Sequence, residues 1–205
     1  MVKPQTLLEM ANIQSTFRWK NSALVLVDYQ NEYRTGKLPL FEIEGAIVET
    51  SKLLRQAREK EVPVIHVVHR GSKDGLFDLT ASNGEIISEL KPIGDEVRVE
   101  KTFPNSFTGT SLESTLRALP QVTNLVVAGL MTHMCLDSTV RSAVDHGFTA
   151  VIVASTTTTR DLKSVSGNVV SASDIKEAEL AALQDRFALI VPTVADLGRG
   201  ENELT

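Results

Sequence analysis

Six short apolar runs, separated by longer amphipathic stretches, constrain this chain more than any other feature. They are "SALVLVDYQ", "VPVIHVV", "EVRVEK", "NLVVAG", "TAVIVAS" and "FALIVP". Strands that are apolar on both faces belong to a parallel sheet covered by helices. The stretches between them have helical spacing. Ile43, Ala46, Ile47, Thr50, Leu54 and Ala57 share one face, with Glu42 and Glu44 at its start and Arg55, Arg58 and Lys60 at its end, as the helix dipole favours. The spacing predicts a second helix at "TSLESTLRAL", with Thr110 and Glu113 as a capping box and Pro120 beyond its end. A third is expected at "MCLDSTVRSAVDHG", with Leu136, Val140, Ala143 and Val144 on one face and Gly147 ending it. A fourth is expected at "SDIKEAELAALQDR", with Asp174 and Glu177 as a capping pair.

The resulting order is β-α-β-loop-β-α-β-α-β-α-β. It predicts one doubly wound, Rossmann-like α/β domain with a six-stranded, mainly parallel sheet and right-handed crossovers. A chain of 205 residues suits one such domain. No repeat, low-complexity tract or linker divides it, so residues 1–20 read as an N-terminal arm and 21–205 as the domain. The irregular stretch from Arg70 to about Glu96 carries Gly71, Gly75, Gly84, Pro92 and Gly94. It is either a lid or pocket wall, or a surface excursion with a short helix around Glu85 to Leu90.

Composition removes several function classes. A net charge of −5 gives no reason to expect nucleic acid or an anionic membrane as a partner. The one cysteine allows no intrachain disulfide and fits a reducing compartment. No apolar run approaches the roughly 18 residues of a membrane span. The opening "MVKPQTLLEMANIQSTFRWKNS" has no signal-peptide pattern, so a cytoplasmic location is expected.

In an open parallel sheet, ligands bind beyond the carboxyl ends of the strands, where strand order reverses. Three reactive side chains fall at such ends: Asp28, Lys101 and Cys135. Singly, each has an ordinary structural reading as a turn carboxylate, a solvated lysine or a small core thiol. Together they have a chemical one. A helix N-terminus and a nearby ammonium favour a thiolate. A carboxylate can take the thiol proton and return it to a leaving group, and backbone N–H groups at the strand-to-helix turn can hold an oxyanion.

Other constellations are weak. There is no G-x-G-x-x-G, Walker A or G-x-S-x-G motif, and no cofactor is expected. His66 and His69 lie three apart on a strand and point to opposite faces, so no metal is expected either. His133 is a candidate partner for Cys135, although adjacent turn residues rarely aim at each other; the remaining histidine is His146. The Thr156–Thr159 run reads as a hydroxyl-rich loop near the rim, followed by Arg160 and Asp161, which face either substrate or a neighbouring subunit.

The segments "ALVLVDYQNEY", "NGEIISELKPIGDEVRVEKTFPNSFTGTSLESTL" and "LVVAGLMTHMCLDSTVRSAVDHGFTAVIV" resemble, in this order, those of the isochorismatase-like cysteine hydrolase superfamily. That superfamily includes nicotinamidases and N-carbamoylsarcosine amidohydrolases, and the likeness covers nearly the whole chain after the arm. It implies a catalytic triad of Asp28, Lys101 and Cys135 and a non-proline cis peptide at Leu130–Met131. It also implies an oxyanion hole from the N–H groups of Met131 and Cys135, and a homo-oligomer, dimer or tetramer. Gln30, Tyr33, Phe103 and Phe107 flank the rim residues and are either pocket walls or packing. Two departures bear on chemistry. Nicotinamidases carry an Asp-x-His metal motif where this chain has "HVVHRGSKD", and isochorismatases proper typically lack the nucleophilic cysteine that is present here. The resemblance therefore implies cleavage of a C–N bond in a small molecule through a Cys135 thioester. The alternatives are a vinyl-ether hydrolase with Asp28 as general acid, or a non-catalytic binding module of the same fold.

Overall fold

The computed structural model describes residues 3–13 and 17–197. Of the expected arm, residues 1, 2 and 14–16 therefore lie outside the described residues, as do 198–205 at the end of the expected domain. The strands are β1 (Ser22–Val27), β2 (Val64–His69), β3 (Val97–Lys101), β4 (Asn124–Gly129), β5 (Thr149–Val153), β6 (Leu162–Lys163), β7 (Val169–Val170) and β8 (Ala188–Val191). Six of them form one sheet in the order β3-β2-β1-β4-β5-β8, and every neighbouring pair is parallel. The strand order reverses between β1 and β4, which makes their carboxyl ends the switch point. The two-residue strands β6 and β7 form a separate antiparallel hairpin that the sequence reading did not anticipate. Its turn runs through "SVSGN", where the Gly167 N–H donates to Ser164 and Gly167 has φ +88°.

The apolar runs divide by parity. Leu24 and Leu26 of β1, with Val126 and Ala128 of β4, face one layer; Ala23, Val25 and Val27, with Leu125 and Val127, face the other. Helix α2 (Ile43–Glu59) and the short α6 (Val194–Leu197) cover the first face; α3 (Leu112–Arg117), α4 (Asp137–Asp145) and α5 (Ala172–Arg186) cover the second. Each fully buried Leu, Ile or Val contributes roughly 1.5–3 kcal/mol, so the two layers together fix the sheet. Gly129 ends β4 opposite Val27, and a Cβ there would lie 2.8 Å from the Val27 Cβ. Glycine thus lets β1 and β4 stay paired up to the switch point.

Two expected caps lie elsewhere. Helix α3 starts at Leu112, and the Thr110 hydroxyl accepts from the Leu112 N–H at 3.1 Å instead of forming a box with Glu113. Helix α5 is capped by Ser171, whose Oγ accepts from the Asp174 N–H at 3.1 Å. Asp174 is thus the third helical residue, not the cap. Before the sheet, α1 (Leu7–Met10) carries a capping box between Thr6 and Glu9 and leans on α5 through the Leu7 N–H, 2.8 Å from Asp185 Oδ1. Phe17 and Trp19 are buried in the first core layer.

The Arg70–Glu96 stretch forms a wall across the end of β1. Gln30 and Ile86 form an antiparallel bridge, and the N–H groups of Asn31 and Ile87 donate to Glu85 and Tyr29. Of the two readings of this stretch, the short helix around Glu85 to Leu90 is not formed; two separate 3-10 turns, Ser82–Gly84 and Ser88–Leu90, flank the extended pairing instead. Glu32, fully buried, ties the wall down by accepting from the N–H groups of Lys37 and Phe77 and from the Asn83 amide. Burial pushes its carboxyl up, but these donors outweigh burial and hold it below the usual carboxylate range.

A second carboxylate anchors the edge strand. Glu96, just before β3, forms a two-point pair with Arg58 of α2 at 2.7 and 2.8 Å, accepts from the Ile93 N–H and meets His66 of β2 at 2.9 Å. Its side chain is 10% exposed. Burial raises its pKa, and the donors from Arg58, Ile93 and His66 overcome that and bring it to about 2. Because the folded value lies below the unfolded one, the stabilisation is complete above about pH 4.5 and lost as pH falls through about 2. The expected outcome of Glu96→Gln, read by urea unfolding, is a loss of about 1–3 kcal/mol at neutral pH that shrinks toward zero in acid. A penalty independent of pH would contradict this electrostatic role.

Candidate active site

The site lies on the carboxyl rim, and the topology explains its members. Asp28 follows β1 in the left-handed region, φ +58°, with its N–H bonded to Val67 at 2.9 Å. A strained backbone of this kind persists where the surroundings over-determine it. Lys101 ends the edge strand β3, two strands from β1, yet its ammonium reaches back to lie 2.6 Å from Asp28 Oδ2. Neither side chain has any solvent exposure. Lys101 Nζ also lies 3.3 Å from Cys135 Sγ and 3.3 Å from His69 Nδ1. The carboxylate faces the thiol as well; beyond Lys101 and Cys135 it has no hydrogen-bonding partner among the described residues.

Cys135 sits in a π-helical turn, Thr132–Leu136, that leads from the end of β4 into α4. The Leu130–Met131 peptide before this turn is cis. The Met131 N–H makes no hydrogen bond among the described residues, while its neighbours Leu130 and Thr132 donate to Val27 and Thr158. The Met131 carbonyl takes the N–H groups of Met134 and Leu136, and the Cys135 N–H makes no hydrogen bond outside this turn among the described residues.

The Thr156–Thr159 run is the scaffold under this turn. Thr157 Oγ1 donates to the Gly129 carbonyl at 2.6 Å and meets Thr132 Oγ1 at 2.8 Å. Thr158 Oγ1 donates to the Phe41 carbonyl, and Thr159 Oγ1 meets His133 Nδ1 at 2.6 Å. His133 is therefore held by Thr159 and is not the partner of Cys135. The Tyr29 hydroxyl donates to Thr156 and accepts from Thr50, which carries the network into α2.

Burial sets the proton inventory. It pushes the Asp28 carboxyl above its ordinary value, with Lys101 opposing. It pushes the Cys135 thiol up as well, and the Asp28 charge adds to the effect against Lys101. The sequence reading expected the helix end and lysine to lower the thiol. The structure gives the reverse, because the thiol of a residue only 4% exposed loses the solvation that a thiolate needs. The thiol therefore keeps its proton at neutral pH, with the Asp28 carboxyl beside it.

The four flanking candidates separate. Tyr33 is buried beside the cluster; burial raises its hydroxyl, and the charges of Asp28 and Cys135 add to this. Gln30 is occupied, with its amide clamped to both backbone groups of His69 and to the Gly84 carbonyl. Phe107 stacks on the His146 ring at 4.6 Å, and Phe103 is 56% exposed. Arg160 bears electrostatically on Tyr33 and His133, and its buried Nε has no hydrogen-bond partner. Asp161 instead caps α5 through the Ala172 N–H at 2.8 Å. Among the described residues, no group of three or more His, Cys, Asp or Glu side chains is placed to hold a metal ion. No described helix is long and apolar enough to cross a membrane.

The sequence model of the isochorismatase domain matches residues 22–193. The chain is 36% identical over 179 residues to the isochorismatase family protein YddQ of Bacillus subtilis (strain 168), covering 86% of this chain and 98% of that protein. It is 32% identical to the secreted isochorismatase effector Isc1 of Verticillium dahliae, covering 86% and 90%. It is 30% identical to the ureidoacrylate amidohydrolase RutB of Agrobacterium fabrum, covering 62% and 72%. Among solved structures, an isochorismatase from Pseudomonas putida KT2440 superposes with a TM-score of 0.89 at 34% identity, covering 94% and 99%.

The thiol chemistry generates a direct expectation. Alkylation of Cys135 by iodoacetamide, followed by mass spectrometry, rises continuously with pH and shows no plateau at neutrality. Asp28→Asn removes the charge that opposes the thiolate and leaves Lys101 beside it, so labelling at neutral pH is faster in the variant. A wild-type plateau near neutral pH, or slower labelling of the variant, would contradict the assigned proton positions.

Proposed function

This chain belongs to the isochorismatase family of hydrolases, and from that premise we propose that it cleaves the C–N bond of a small amide or carbamoyl-type compound through a covalent Cys135 intermediate. The observation that carries the reading is the buried meeting of Asp28, Lys101 and Cys135. Cys135 Sγ attacks the carbonyl carbon while its proton passes to Asp28. The developing oxyanion takes the N–H groups of Met131 and Cys135; such donors are worth roughly 10²–10³ in rate each. Asp28 then gives the proton to the leaving nitrogen as the C–N bond breaks, which leaves a thioester and frees an amine. Water attacks the thioester, its proton goes to Asp28, and the acid departs as sulfur is reprotonated. A carboxyl raised by burial above its ordinary value is a stronger base than an exposed one, which suits a group that must both take and give a proton. Lys101 stays charged throughout and holds the carboxylate and sulfur together.

Arg160 narrows the substrate class. A buried, unpartnered Nε beside Tyr33 fits a carboxylate on the substrate, for which guanidinium is the matched donor. The amidohydrolase relative acts, by its name, on ureidoacrylate, which combines a C–N carbonyl with a carboxylate.

A second reading, vinyl-ether hydrolysis with Asp28 as general acid, is favoured by the relatives called isochorismatase. One set of assays separates the two. Cys135→Ala abolishes turnover of small ureido and amide acids in the folded protein, while Arg160→Ala raises KM for those acids roughly 10- to 100-fold and leaves their neutral esters unaffected. Isochorismate turnover that survives Cys135→Ala but not Asp28→Asn would select the ether reading instead.

A further inference from the structure

We propose that His69 is a positioning residue for the hydrolysis inferred above, with its Nδ1 accepting a hydrogen bond from Lys101 and holding the ammonium between Asp28 and Cys135. The proposal rests on that reading for its catalytic consequence and on geometry for the contact itself. Lys101 ends β3 and Asp28 follows β1, so the lysine must cross the end of the intervening strand β2, which is His69. His69 and Lys101 are register partners in the parallel pair, so both side chains rise from the same sheet face. An ammonium has three N–H donors. Here the acceptors are Asp28 Oδ2 at 2.6 Å, Cys135 Sγ at 3.3 Å and His69 Nδ1 at 3.3 Å. The lysine side chain is fully buried, so bulk solvent does not reach the third donor.

The imidazole is itself held. The Phe77 ring meets it edge-to-face at 5.2 Å, and the Gln30 amide clamps both backbone groups of His69. Accepting at Nδ1 assigns the ring proton to Nε2, which has no hydrogen-bond partner among the described residues. The charged groups that act on the ring are Lys101 from β3 and Asp28 from the end of β1, while the Cys135 thiol touches it only through Lys101. Burial, then Lys101, lowers its pKa below the ordinary histidine value, with Asp28 opposing, so the ring stays a neutral acceptor at neutral pH. Acid protonates it, removes the acceptor and sets a cation beside Lys101.

The test uses two readouts. In protein labelled with 15N-histidine, NMR at neutral pH should show His69 with a bare Nδ1 and a protonated Nε2; a proton on Nδ1 would overturn the contact. In steady-state assays, His69→Ala should lower kcat roughly 10- to 100-fold with KM little changed. His69→Asn, whose Oδ1 can stand where Nδ1 does, should recover most of that loss and shift the acid limb of kcat/KM to lower pH. Full activity and an unchanged pH profile in His69→Ala, or no recovery in a folded His69→Asn, would overturn the role. If the wild-type protein turns over no amide, the hydrolase reading fails, and the NMR result alone still decides whether His69 holds Lys101.

Discussion

The Lys101–Asp28 ion pair is the interaction on which the rest of the site depends. Taking two charges fully out of water costs several kcal/mol per ion, and the attraction between them offsets this only when the remaining donors are also satisfied. Both side chains here have no exposure, and the pair closes at 2.6 Å. The other two lysine donors go to Cys135 and His69, so the cluster is nearly self-contained. Removing either partner leaves an unpaired buried charge, a change that typically costs 3–5 kcal/mol. Hydrophobic residues of similar volume would pack this space at less electrostatic expense. In the proposed hydrolysis the pair makes physical sense, since it keeps a charged lysine and a carboxylate beside one thiol.

The scaffold is arranged to hold that pair still. The Glu96–Arg58–His66 cluster fastens the edge strand that carries Lys101, at the end opposite the lysine. Glu32 and Gln30 fasten the wall that crosses the end of β1. The threonine run binds the turn that carries Cys135 to the Gly129 carbonyl and, through Tyr29 and Thr50, to α2. Three segments distant in sequence are therefore held by three separate polar anchors, the Glu32 and threonine groups buried and the Glu96–Arg58 pair partly exposed. A displacement of about 1 Å in any of them is enough to cost a catalytic constellation roughly a hundredfold.

Much of this could be read from the residues. Apolar runs on both faces specified a covered parallel sheet, and its topology placed Asp28, Lys101 and Cys135 at strand ends. What could not be read depends on distances across the chain. His69 matters because β2 lies between β1 and β3 in a register that pairs it with Lys101, and no local pattern states that register. The opposite parity of His66 and His69 was visible, but not that one meets Glu96 and the other Lys101. The thiol was expected to be acidified by its helix and lysine, whereas its burial, a property of the packed state, dominates. Thr110 misled because its hydroxyl takes the Leu112 N–H instead of pairing with Glu113, and Asp174 because the hydroxyl of Ser171, three residues earlier, holds the cap; spacing alone does not choose among these. The hairpin at Leu162–Val170 was missed because two-residue strands carry almost no periodic signal.

The central claim is that bond cleavage proceeds through an acyl group on Cys135. The most direct measurement is acid quenching during the first turnovers on a small ureido or amide acid, followed by weighing the peptide that contains Cys135. The account predicts that amine appears before acid and that the peptide gains the mass of the substrate's acyl portion. Simultaneous release of amine and acid, with the peptide unmodified at every time point, would contradict it.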